Sequence, residues 1–193
     1  PVPFDPTCGV GGNRLRAGFN LANRQIAKRV SEDDALRGMA TTAVAVLLGE
    51  EAAALAHVGD SRAYLYQTGR LKRLTADHSW VEEQVRAGML SEEAALEHPW
   101  RNIVTRALSG GPNLDVEITN LSLAPGDRLL LCSDGLSSVV PDCEIAQMVA
   151  EATSENLQSG CDALVERANA AGGPDTVTAL SVEVVRFDGK VPV

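Results

Sequence analysis

The sequence predicts an α+β fold built on antiparallel strands. Three observations carry this expectation: strand-length apolar runs occur in groups, their connections are too short to hold a crossover helix, and helix-period segments gather toward the two ends of the chain. With 193 residues, 45% of them hydrophobic, the chain has the size and apolar content of one domain, taken as residues 1–193.

Residues 1–13 are rich in Pro and Gly and lack a period, so they read as an irregular lead-in. Leu15, Phe19, Ala22, Ile26 and Val30 then recur at helical spacing and predict an amphipathic helix that a charged loop, Ser31 to Arg37, ends. Thr41 to Leu48 and Ala52 to Val58 are nearly uninterrupted apolar runs around Gly49-Glu50-Glu51, the pattern of a hairpin buried on both faces. Ala63 to Gln67 and Arg70 to Leu74 follow, joined by Thr68-Gly69, and the four runs together read as a meander.

Residues 77–109 change character. They hold two predicted short helices, Ser79 to Ala87 and Ser91 to Glu97; Ser91 supplies a cap, Glu92 and Glu93 suit the helix dipole, and His98-Pro99 ends the second helix. Strands resume at Asp115 to Leu121 and, after a Pro125-Gly126-Asp127 turn, at Arg128 to Cys132, which runs directly into Ser133-Asp134-Gly135. Helices are expected at Pro141 to Glu151 and Ser154 to Ala170, then a Gly172-Gly173-Pro174-Asp175 turn and a last strand, Thr176 to Val185.

Composition narrows the functional classes. Seventeen Lys and Arg against 26 Asp and Glu give a net charge of -9, which argues against a nucleic-acid groove or a basic membrane surface. Cys8, Cys132, Cys143 and Cys161 lack the paired spacing of a zinc or redox motif and are expected as reduced, mostly buried thiols. No apolar run approaches the roughly 20 residues of a membrane span, so a cytoplasmic location is expected. The chain begins at Pro1 without a methionine, which leaves an upstream segment open.

Asp60, Asp134 and Asp175 share a placement at the end or start of an apolar strand. An Asp beside Gly often just caps a turn, and that explains each of them taken singly. Three in equivalent positions favour a shared cation, because carboxylates at buried strand ends must be neutralised or paired. An oxygen-only donor set selects magnesium or manganese over zinc.

In order along the chain, Gly38-Met39-Ala40-Thr41-Thr42-Ala43-Val44, Ala56-His57-Val58-Gly59-Asp60-Ser61-Arg62-Ala63-Tyr64, Leu74-Thr75-Ala76-Asp77-His78-Ser79, Asn102-Ile103-Val104-Thr105-Arg106-Ala107-Leu108, Leu131-Cys132-Ser133-Asp134-Gly135-Leu136 and Pro174-Asp175-Thr176-Val177-Thr178 resemble the successive motifs of bacterial type 2C metal-dependent serine/threonine phosphatases. The resemblance runs from about Leu21 to Val185. It implies a four-layer α-β-β-α sandwich of mainly antiparallel sheets that lacks its first strands here, with a flap at residues 77–109. It also implies metal ligation by Asp134 and Asp175, with Asp60 at a further and weaker metal, so that two or three Mn2+ or Mg2+ ions are expected.

The implied reaction is hydrolysis of phosphoserine and phosphothreonine by a metal-activated water, with no protein nucleophile. Ser61, Ser133, Cys132, His57, His78 and His98 then need no catalytic role. Implied partners are phosphorylated proteins and a cognate serine/threonine kinase, with the chain a monomer.

Departures from the pattern are equally specific. The family's early Asp-Gly-Met-Gly-Gly motif, whose Asp bridges two metals, has only a superficial counterpart in Cys8-Gly9-Val10-Gly11-Gly12. Thr176 stands where Asn is usual, and Ser138 where Asp is frequent. A pseudophosphatase that binds phosphoproteins without turnover is therefore the alternative. A nucleotide-binding loop at Cys8 to Gly12 is disfavoured, because no strand precedes those glycines and no βαβ unit follows.

Overall fold

The computed structural model describes residues 2–49, 52–153 and 155–185. Its helices are α1 (Gly9–Glu32), α2 (Trp80–Arg86), α3 (Glu92–Leu96), α4 (Asp134–Ser137), α5 (Asp142–Glu151) and α6 (Leu157–Ala170). Its strands are β1 (Ala43–Leu48), β2 (Ala53–Val58), β3 (Arg62–Gln67), β4 (Arg70–Arg73), β5 (Glu117–Leu121), β6 (Arg128–Cys132) and β7 (Ala179–Glu183). Every strand pairing is antiparallel, as the short connections require. The residues divide into two compact units, one reaching Ser61 and taking in Ala76–Ser122, the other made of Arg62–Thr75 and the chain from Leu123 onward.

In the first unit, helix α1 lies on a sheet of order β1-β2-β5. Its start corrects the expectation of an irregular lead-in, because residues 9–13 are helical after a single 3-10 turn, Pro6–Cys8. The Asp5 carboxylate accepts the Thr7 N–H, and the Asn13 amide donates 2.7 Å to the Asp5 carbonyl, so the entry is tied from both sides. The glycines allow a close approach: a Cβ on Gly12 would stand 2.6 Å from Ile118 Cγ2. Phe19 is buried with Ala56, Val58 and Leu108, and Leu15 and Ile26 pack against this cluster.

Strand β2 is buried throughout, whereas β1 is only half-buried, so burial on both faces holds for one strand of that hairpin. The Glu50-Glu51 part of the predicted turn lies outside the described residues, as does Ser154, the predicted start of α6. Helices α2 and α3 begin where Ser79 and Ser91 predict, with each hydroxyl accepting a main-chain N–H three residues on.

The second unit holds a sheet of order β4-β3-β6-β7 with α4, α5 and α6. Tyr64, Leu130, Cys132, Leu136, Val140, Ile145, Val149, Leu164 and Ala168 form its core. Burial pushes the Tyr64 phenol far above its ordinary range, and the phenol donates 2.9 Å to Asp142 at the start of α5. Arg128 donates to Glu183 and to the Val149 carbonyl, which satisfies an end group of α5.

The meander expectation is corrected here. Strands β2 and β3 are consecutive in sequence but belong to different sheets, and the chain changes sheet through Gly59, whose φ of +108° favours glycine. The short helix α4 was not expected from the pattern. Of the four free cysteines only Cys132 is fully buried, and Cys143 on α5 is exposed. Among the described residues no helix is long and apolar enough to cross a membrane.

Leu130 is fully buried at the centre of the second core. Leu130→Ala should cost about 2–5 kcal/mol in urea unfolding, with an unchanged slope against urea.

Candidate functional site

Two of the three expected aspartates are brought onto neighbouring segments. Strand β6 sits between β3 and β7, so its end is fixed from both sides before the chain turns into α4 at Ser133. The Ser133 hydroxyl donates 2.9 Å to the Thr176 carbonyl and accepts the Thr178 N–H at 3.0 Å, while the Ser133 N–H donates to the Thr178 carbonyl. Gly135 then rides directly over Thr176, where a Cβ would lie 2.4 Å from the carbonyl oxygen. Asp134 therefore emerges from a backbone laced to the residue that follows Asp175.

Asp134 is half-buried and Asp175 is exposed. The Asp175 carboxylate accepts the Thr176 N–H at 2.6 Å, which is the turn-capping role open to any Asp, and leaves its other oxygen available for a further partner. Among the described residues neither Asp134 nor Asp175 joins an ion pair. This donor set, hard carboxylates without imidazole or thiolate, fits magnesium or manganese.

Asp60 belongs to the first unit and is half-buried. It follows Gly59, where a Cβ would lie 2.3 Å from Thr42 Cγ2, and precedes Ser61, whose hydroxyl is 2.9 Å from that of Thr42. His78 binds Gly59 twice: its Nδ1 accepts the Gly59 N–H at 3.1 Å, and its own N–H donates 3.0 Å to the Gly59 carbonyl. The other ring nitrogen donates 3.2 Å to Glu117. His57, stacked on His78 with 4.6 Å between ring centres, donates through Nε2 to the Ala76 carbonyl.

The base of segment 77–109 is pinned beside this turn. The Thr105 N–H donates to the His78 carbonyl, and Thr41 and Leu108 exchange two main-chain bonds. Asn23 of α1 accepts the N–H groups of Ser109 and Gly110 and donates to the Gly111 carbonyl. Glu117 is the residue that pattern reading missed. It faces His57 across the β2–β5 ladder, a long-range register that spacing along the chain cannot signal.

The sequence profile described as protein phosphatase 2C matches residues 13–176. The chain belongs to that family. All three aspartates fall inside the matched range. Among relatives within the protein phosphatase 2C family, the Listeria welshimeri serine/threonine phosphatase stp is 39% identical over 169 residues, 88% of this chain and 66% of that protein. The Mycobacterium tuberculosis serine/threonine protein phosphatase PstP is 37% identical over 175 residues, 91% of this chain and 33% of that protein. This protein phosphatase 2C chain thus spans about two thirds of the length of the Listeria relative.

A crystal structure of Mycobacterium tuberculosis PstP/Ppp aligns with a TM-score of 0.87 at 35% identity, covering 94% of this chain and 76% of that one. The catalytic domain of PstP in complex with two manganese ions aligns with a TM-score of 0.84 at 34% identity, covering 92% and 73%. The α+β class read from the sequence is the fold these phosphatases share.

Two outcomes follow from the geometry. Gly135→Ala should cost about 1–3 kcal/mol in thermal or urea unfolding, because the added methyl meets the Thr176 carbonyl with no flexible neighbour to yield. Burial holds His78 below its ordinary value of 6.5, with His57 and Arg106 pushing the same way and Glu117 opposing. The unfolded chain therefore takes the proton first. This part of the stability is complete above pH 6.5 and is lost as pH falls through the folded value, a slope that His78→Asn removes in unfolding measured from about pH 8 to pH 5.

Proposed function

We propose that this chain is most of a metal-dependent protein serine/threonine phosphatase domain, acting on phosphoserine and phosphothreonine in proteins. Membership of the protein phosphatase 2C family carries the reading, supported by relatives at 37–39% identity that are themselves named serine/threonine phosphatases. The two manganese ions in the related PstP catalytic domain support Mn2+ or Mg2+ as the cofactor.

Asp134 and Asp175 are proposed as ligands of the metal centre, and Asp60 as a ligand of a further ion. When bound, the cations supply an acidified water and charge neutralisation at the phosphoryl group. The chain's own part is positional. Ser133 and Gly135 keep the Asp134 backbone against Thr176, so Asp134 and Asp175 come to a cation from segments already held together. Segment 77–109 is proposed as a flap in a single phosphatase domain, residues 1–193. A cognate kinase acting on the same substrates, a monomeric state and a cytoplasmic location belong to the same proposal.

The test is hydrolysis of phosphoserine and phosphothreonine peptides by the full-length protein with manganese. Chelation should abolish turnover, and Asp134→Asn should lower it by at least about tenfold. Turnover that survives both treatments would sink the metal assignment. Binding of phosphopeptides with no turnover under any metal would instead establish the pseudophosphatase reading.

A further inference from the structure

His57, His78 and Glu117 bring two imidazole nitrogens and a carboxylate oxygen within 4.8 Å of one another, a spacing that a divalent cation could bridge. The hydrogen bonds assign these groups differently. His78 Nδ1 accepts a main-chain N–H from Gly59, so in the neutral ring the proton sits on Nε2, the atom a cation would need bare. His57 Nε2 faces the Ala76 carbonyl at 2.9 Å and must likewise carry a proton. Both nitrogens are donors, and the acceptor for His78 is Glu117.

What this arrangement holds is the Gly59 peptide. His78 grips it by its N–H and its carbonyl, and both the ring and the main chain of His78 are themselves anchored, by Glu117 on one side and by the Thr105 N–H on the other. Gly59 has a φ of +108° and no side chain of its own, so its peptide groups are where the turn can be gripped. Asp60 is the next residue.

We propose that the His78–Glu117 pair is a positioning device for Asp60: Glu117 fixes the imidazole tautomer, the imidazole holds the Gly59 peptide, and that peptide aims the Asp60 carboxylate. The inference rests on the reading of Asp60 as a metal ligand and adds to it the residues that orient the ligand. It also makes His78 a shared anchor, because the same residue receives the Thr105 N–H at the base of segment 77–109. This is the logic by which groups behind a metal ligand set its affinity.

Isosteric substitutions separate the two faces of the ring. An Asn amide oxygen stands where Nδ1 lies and can still accept the Gly59 N–H, whereas a Gln amide reaches toward Glu117 and leaves the Gly59 N–H without its acceptor. Manganese binding to the full-length protein, measured by calorimetry, should fall about tenfold in both Asp60→Asn and His78→Gln and stay within about twofold of the parent in His78→Asn. If His78→Gln binds like the parent while Asp60→Asn is weakened, the positioning role is wrong although the metal reading stands. Equal losses in His78→Asn and His78→Gln overturn it as well, since they report general disruption. If Asp60→Asn itself changes nothing, the metal reading of Asp60 falls and the proposal falls with it.

A second readout needs no bound metal. Nitrogen-15 spectra of the histidines at neutral pH should place the His78 proton on Nε2 and leave Nδ1 bare, and Glu117→Leu should weaken that preference. A proton found on Nδ1, or zinc binding that displaces the Nε2 protons of His57 and His78, would overturn the assignment.

Discussion

Gly135 carries no side chain because the Thr176 carbonyl occupies the space that one would need. From that close approach follows the order of the acidic edge of the second unit. The Asp134–Gly135 peptide settles onto the strand-β7 approach, Ser133 closes the contact by donating to one main-chain group and accepting from another, and Asp175 is left beside the junction with one oxygen engaged. Strand β6 can present such an end because it is flanked by β3 and β7 and has no free edge along its length.

Much of this was legible in the sequence where a local rule governs. Arg128–Cys132 forms a strand with the expected bounds, because a Pro-Gly-Asp turn precedes its apolar run and Ser133-Asp134-Gly135 ends it. Ser79 and Ser91 announce their helices through capping, which depends on residues only three apart. What remained hidden is governed at long range. Glycines at 9, 11 and 12 weaken a helix by propensity, yet that stretch is helical because the missing side chains let α1 press on Ile118 and Ala54. The separation of β2 from β3 into different sheets was hidden too, since hairpin signals identify turns and not the other neighbour of each strand.

The aspartates illustrate the same division. Their positions at strand ends are visible in the sequence, and the order of the surrounding motifs agrees with the family match over residues 13–176. The means of holding them are not visible. Asp134 depends on contacts with residues more than forty positions away, and the Asp60 turn depends on His78 and Glu117, which look like ordinary residues of a strand exit and a strand. An acidic strand end can therefore be read from a motif, while the groups that hold its backbone come from the topology.

The sheet orders also bear on how the chain reaches this state. Among the described residues only β1 with β2 and β3 with β4 are hairpin partners, and the remaining pairings, β2 with β5, β3 with β6 and β6 with β7, join strands separated by long stretches of chain. Two hairpins can form early at little entropic cost, but each sheet is completed only when a distant strand returns, and such loop closures slow folding. Asp134 opens α4 just after β6 and Asp175 precedes β7, so both flank the long-range pairing of β6 with β7. The acidic edge of the second sheet is therefore complete only once that long-range closure has been made.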